Sequence, residues 1–211
     1  RDLPKAIRRQ RQMCIRDRVL IAGNHDHIRK DSYYRTFSWS ENVHPLFGNR
    51  PQYLVLEHLD TAVYGFSYEA KEILEPRYDG LCAQKKAGIE ILLAHGGDEK
   101  HIPINGNALK RSGFDYVALG HLHGPQRAGE TGRYSGSPLW YSVDEEHQKK
   151  SVSIVDVHPG NFTVQEERVV PLRWVRRIKG PFDEILQAGK TSPSEDLLDI
   201  TLTDDLSLIH I

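Results

Sequence analysis

The sequence predicts an α/β fold organised around buried strands, and three observations predict it. Short apolar runs recur at Val19-Leu20-Ile21-Ala22-Gly23, Ile91-Leu92-Leu93-Ala94 and Tyr116-Val117-Ala118-Leu119-Gly120. Each is β-rich and bounded by Gly or polar residues, the pattern of a strand covered on both faces. Each also opens onto histidine-bearing polar residues: Asn24-His25-Asp26, His95-Gly96-Gly97 and His121-Leu122-His123. In open α/β sheets, ligands and chemistry gather just beyond the carboxyl ends of the strands.

The elements follow in chain order. After the first strand, the aromatic and polar stretch Asp31–Pro51, with Tyr33, Tyr34, Phe37 and Trp39, reads as a short helix and loop. Tyr53–Leu56 and Ala62–Phe66 read as strands, and Glu69–Lys86 as a mixed segment with helical character in its second half. Beyond His123 the pattern turns β-rich. Arg133–Gly136, Ser151–Val157 and Thr163–Val169 read as strands separated by turns at Gly136-Ser137-Pro138 and Pro159-Gly160-Asn161. Pro181 opens a helix running to about Ala188, since proline suits a first helical position. Leu197–Leu202 resumes strand character. A composition break at Pro171–Pro181 divides a main unit, 19–171, from the start of a second domain, 172–205.

Composition bounds the function. The 211 residues are 38% hydrophobic, and the mean hydropathy is -0.54. No apolar run approaches the roughly 20 residues that span a bilayer. Two cysteines, Cys14 and Cys82, imply no disulfide framework and point to a reducing, cytoplasmic compartment. Of the eleven histidines, His44, His58, His101, His147 and His158 fit scattered surface positions.

Both ends read as foreign. Met13–Arg18 and Leu206–Ile211 can be encoded by nucleotide strings that are reverse complements of each other. These strings resemble a transposon-end adapter used in preparing sequencing libraries. On this reading 1–18 and 206–211 are not native, and the authentic insert runs from about Val19 to Asp205 of a longer gene. The charge balance changes with it. Residues 1–18 hold seven basic and two acidic side chains of the chain's 28 and 29, leaving 21 basic and 27 acidic, net -6. Bulk charge therefore gives no support for nucleic-acid binding, although a local groove can be basic on an acidic protein.

The three strand ends together read as a metal site. Neutral imidazole is the commonest metal ligand and favours zinc or transition metals. The amide oxygen of Asn24 is a harder ligand suited to a mixed nitrogen and oxygen site. His121 and His123 lie two apart, so a loop at the strand end can aim them at two different ions. Two ions about 3.5–4 Å apart can activate water and stabilise both oxygens of an in-line phosphoryl displacement. His25 can hold a proton for the leaving oxygen, with Asp26 fixing its tautomer. His27 falls outside the ligand set. Gly23, Gly96, Gly97 and Gly120 permit tight turns and close backbone approach. Taken singly, each motif could be an ordinary surface turn. Their recurrence at three strand ends, in this order, makes the metal reading specific.

Gly23-Asn24-His25-Asp26, Ala94-His95-Gly96 and Gly120-His121-Leu122-His123 resemble the later motifs of the calcineurin-like metallophosphoesterases. Within that superfamily, Tyr116–Gln126, Arg133–Pro138 and Lys150–Asp156 resemble the SbcD-like DNA-repair exonuclease subunits. Asp31–Arg35 and His95–Ile104 look nearest to a Firmicutes-type branch. The resemblance implies a sandwich of two β-sheets flanked by helices, here incomplete at the N-terminus, with 19–171 as the nuclease domain and 172–205 as the onset of a capping domain. It implies a site for two divalent ions, manganese foremost, with Asn24, His95 and His121 on one ion and His123 on the other. His25 would be the catalytic histidine. The implied activity is phosphodiester cleavage in DNA during double-strand-break repair. The implied partners are DNA and an SMC-like, SbcC-like ATPase, with a homodimer compatible and no membrane involved. The family's opening Asp-x-His and Gly-Asp motifs are not supplied upstream of Val19. Asp17 lies in the adapter-like segment, and Asp2 has no suitably placed His. The chain is thus expected to carry about half the ligand set and little activity. The alternatives are a metallophosphoesterase acting on small phosphoesters or cyclic nucleotides, and a non-catalytic partner-binding domain.

Overall fold

The computed structural model describes residues 16–204. Of the adapter-like segments only 16–18 fall within it, and 206–211 lie outside the described residues. The first strand, β1 (Arg18–Leu20), pairs in parallel with β2 (Val43–Pro45). A six-stranded sheet follows. In chain order its strands are β3 (Gln52–Leu56), β4 (Thr61–Gly65), β5 (Ile89–His95), β6 (Tyr116–Gly120), β7 (Gln126–Ala128) and β8 (Gly132–Tyr134). Across the sheet they lie in the order β3-β4-β5-β6-β8-β7. The four inner strands run parallel, while β3 and β7 close the edges antiparallel. Their parallel direction brings the ends of β5 and β6 side by side, with His95 opposite Gly120.

Burial explains why these runs are strands. Every residue of β4 is buried, and β5 alternates so that Glu90, Leu92 and Ala94 enter the core. Tyr64, Phe66, Tyr68, Tyr78, Leu109, Phe114, Val117 and Tyr134 complete that core. Its many tyrosines keep their hydroxyls supplied: Tyr64 donates to Glu90 at 3.1 Å, and others reach the backbone at the end of β5.

In place of a second large sheet, β1 and β2 form a two-stranded sheet separate from the six-stranded one. The chain leaving β1 runs beside the segment that follows β4. Ala22 N–H donates to Ser67 Oγ at 2.8 Å, and Tyr68 N–H donates to the Ala22 carbonyl at 3.1 Å. The flanking helices are sparser than expected. Among the described residues there are two α-helices, α1 (Gly106–Arg111) and α2 (Phe182–Thr191). The helical character expected in Glu69–Lys86 is also absent. Pro76 and the left-handed Gly80 (φ 82°) interrupt the backbone, and Ile73 instead pairs with the loop at Lys100–Ile102.

Beyond the sheet, β9 (Ser151–His158) and β10 (Asn161–Arg168) form a hairpin closed by Pro159-Gly160. Phe162 of this hairpin packs on Tyr116 with ring centroids 4.9 Å apart. The last unit is a parallel pair, β11 (Val175–Gly180) and β12 (Leu197–Leu202), joined through α2. Pro181 is the residue before that helix rather than its first member. β11 occupies the stretch read from sequence as a composition break. No helix among the described residues is long and apolar enough to cross a membrane.

Candidate metal centre

The end of β5 is held by phenols. The His95 N–H donates to Tyr78 Oη at 2.8 Å, while its carbonyl accepts from Tyr68 and Tyr78 at 3.1 and 3.2 Å. Tyr134 donates to the Gly96 carbonyl at 2.9 Å. Burial pushes the phenols of Tyr68 and Tyr78 well up, and that of Tyr134 up to about 12, so all three remain protonated donors. Gly97 turns the chain at φ 131°, and a Cβ there would collide with the Tyr134 hydroxyl. The backbone that presents His95 is therefore fixed before any ligand arrives.

The loop leaving β1 meets His95. Asn24, 3% exposed, places Oδ1 2.9 Å from His95 Nε2. The imidazole lies over the Gly23 backbone, where a Cβ would stand 2.5 Å from its Cε1. Burial, and then the neighbouring His121, lowers the His95 pKa to about 4. At neutral pH this ring is uncharged, the form in which histidine ligates metals.

His121 follows β6 with its backbone at φ 106°, a left-handed value that a non-glycine residue adopts only under constraint. Its ring stands 5.3 Å from that of His95. Its Nε2 lies 2.7 Å from Asp98 Oδ2, and His101 Nδ1 lies 2.8 Å from Asp98 Oδ1. Ligand atoms of Asp98, His101 and His121 all fall within 4.8 Å of one another. Burial opposes ionisation of Asp98, but hydrogen bonds from His121, His101 and the Lys100 N–H together hold its carboxyl well below the usual range. The surface role expected for His101 is thus corrected. Its side chain is 17% exposed and belongs to this cluster. The usable signal was position, since Asp98 and His101 share the loop that directly follows the β5 histidine.

The remaining residues diverge. His123 is turned toward Glu145, with Nδ1 2.6 Å from Oε1, and does not join the Asp98 cluster. His25 is exposed and makes no hydrogen bond among the described residues. Asp26 does not fix the tautomer of His25 here: its carboxylate accepts from the Gly23 N–H at 2.7 Å and the Tyr34 hydroxyl at 2.6 Å. His27 Nδ1 lies 3.1 Å from the Asn24 carbonyl. Asp17, bonded to His44 and His58, sits at the start of β1, whereas Asn24 lies beyond its far end.

The donor set fits a divalent transition metal. A buried amide oxygen, an uncharged imidazole, further imidazoles and an ionised carboxylate converge at the carboxyl ends of neighbouring strands.

Comparison with known proteins agrees. The family model of the calcineurin-like phosphoesterases matches residues 3–125. The chain is 41% identical over 107 residues to the SbcD subunit of the nuclease SbcCD of Bacillus subtilis, covering 46% of this chain and 27% of that protein. It is 40% identical over 78 residues to the SbcD subunit of the Staphylococcus epidermidis nuclease SbcCD, covering 35% of this chain and 20% of that protein. It is 31% identical over 113 residues to the uncharacterized metallophosphoesterase YhaO of Bacillus subtilis, covering 49% and 27%. The matched segments thus span between 20% and 27% of these curated relatives.

Proposed function

The chain belongs to the calcineurin-like phosphoesterase family, and on that premise we propose that it is part of an SbcD-like nuclease that hydrolyses phosphodiester bonds in DNA. The convergence of Asn24, His95 and His121 at neighbouring strand ends carries this reading. The two relatives of 40% identity or more, both belonging to a nuclease, support the choice of DNA over small phosphoesters.

Asn24, His95 and His121 would hold one divalent cation and His123 a second, with manganese the leading candidate. Such cations, when bound, supply Lewis-acid stabilisation of phosphoryl oxygens. Asn24 contributes a buried amide oxygen, and His95 an imidazole that burial keeps uncharged. Asp98 orients His121 through its Nε2. To His25, exposed and electrostatically coupled to His95, this reading gives the proton that passes to the leaving oxygen. An SMC-like ATPase is the partner this reading implies.

The described residues put no aspartate of β1 at this centre, because Asp17 is held at the strand's opposite end by His44 and His58. We accordingly assign the chain metal binding with little turnover. Manganese titration of the purified chain, followed by assays on linear DNA and a chromogenic phosphodiester, tests this. Manganese uptake that is lost in His95→Ala, with slow cleavage of DNA, is expected. Robust cleavage abolished by His25→Ala would overturn the claim of low turnover. Faster turnover of the chromogenic ester than of DNA would favour the small-phosphoester reading.

A further inference from the structure

Lys150 stands at the start of β9 with its side chain fully buried. Its ammonium donates to Glu145 Oε2 at 2.6 Å, Gln148 Oε1 at 2.8 Å, Ser137 Oγ at 2.9 Å and the His123 carbonyl at 3.3 Å. Glu145 is itself buried, its side chain 9% exposed. It takes Lys150 on Oε2 and His123 Nδ1 on Oε1, and the Tyr141 N–H also reaches Oε2 at 3.3 Å. The Ser137 N–H donates to the His123 carbonyl at 3.0 Å. The backbone and the ring of His123 are therefore gripped by one network. Burying an ammonium and a carboxylate is expensive, and hydrophobic residues of the same volume often stabilise a fold as well or better. A bare stability role explains the pair poorly.

We propose that Glu145 and Lys150 are positioning residues for His123. An ionised carboxylate only accepts hydrogen bonds, so the bond to Glu145 places the His123 proton on Nδ1 and leaves Nε2 as the bare ligating nitrogen. Lys150 keeps Glu145 ionised and aimed, and through the His123 carbonyl it fixes the loop after β6. The proposal deepens the metal reading of His123 and rests on it.

Long-range proton–nitrogen NMR of the full chain, recorded without metal at a pH where His123 is neutral, reads the tautomer directly. The unsubstituted chain is expected to show His123 protonated at Nδ1. Because Lys150→Met alone strands a buried carboxylate and can unfold the chain, the informative variant is Glu145→Gln/Lys150→Met, which removes both charges at near-constant volume. It is expected to release the tautomer preference and weaken manganese binding by about 10–100-fold. Lys150→Arg, which keeps a cation beside Glu145, is expected to retain both. A His123 protonated mainly at Nε2 in the unsubstituted chain, or a folded double variant with unchanged tautomer and unchanged manganese affinity, overturns the proposal. A locked Nδ1 tautomer in a chain that takes up no manganese overturns the metal reading instead.

Discussion

Asn24 Oδ1 and His95 Nε2 lie 2.9 Å apart although 71 residues separate them in the chain. The contact is possible because the ring of His95 rests on the backbone of Gly23, where a Cβ would stand only 2.5 Å from Cε1. Gly23→Ala is expected to destabilise the fold by about 1–3 kcal/mol, the range for overpacking a filled site. It is also expected to displace the imidazole from Asn24. Urea denaturation together with a manganese titration of the variant checks both effects. Unchanged stability and affinity would contradict the packing argument.

The phenols beneath His95 make a second prediction. Tyr78 is 2% exposed and serves both the N–H and the carbonyl of His95. Tyr78→Phe leaves the N–H without that acceptor, at a cost of about 1–3 kcal/mol. Tyr68→Phe removes one of two donors to the same carbonyl, so its effect is expected to be smaller. Comparing the two unfolding midpoints tests the ranking.

His95 also gives the metal-free chain a pH dependence. Its folded pKa is lowered to about 4, chiefly by burial, from an unfolded value near 6.5. Between these values the unfolded chain binds the extra proton. The stability contributed by the neutral ring is therefore complete above about pH 6.5 and is lost as pH falls toward 4. Urea unfolding in the presence of a chelator, at steps from pH 7.5 to 4, is expected to show this slope, reduced in His95→Asn. An identical slope in that variant would assign the effect to other groups.

The buried ion pair yields a fourth expectation, in stability rather than tautomer. Lys150→Met leaves the Glu145 carboxylate buried without its cation and is expected to cost about 3–5 kcal/mol. Glu145→Gln/Lys150→Met is expected to cost much less, because neither charge is stranded. A double variant as unstable as the single one would sink the argument. The contrast is read from parallel urea titrations.

Much of the site's location was legible because strand ends carry their own signals. The apolar runs before Asn24, His95 and His121 are strands or lead directly out of one, and those three residues meet. What was not legible is set by contacts across the fold. Asp98 reaches His121, and Glu145 reaches His123, over separations of 23 and 22 residues, with no periodicity to announce either pairing. His101 looked like a surface histidine because nothing local marks the return of its loop to Ile73. β11 escaped notice because Arg176, Arg177 and Lys179 dominate its composition, and only its pairing with β12 makes it a strand. The helix expected before Lys86 failed for the converse reason: the N–H groups of Ala83, Gln84 and Lys86 bond to Ser112, Tyr64 and Glu90 across the fold, and tertiary pairing outcompeted local propensity.

The same separations set the order of events in folding. Asn24 and His95 are joined through strands whose parallel partners are themselves distant along the chain, so loop-closure entropy must be met before either donor finds the other. Nothing local assembles this centre early. A metal ion in the folding buffer would therefore act as a latch on a finished sheet rather than as a seed for it. Its uptake would lag behind formation of the β9–β10 hairpin, whose strands are joined by only two residues.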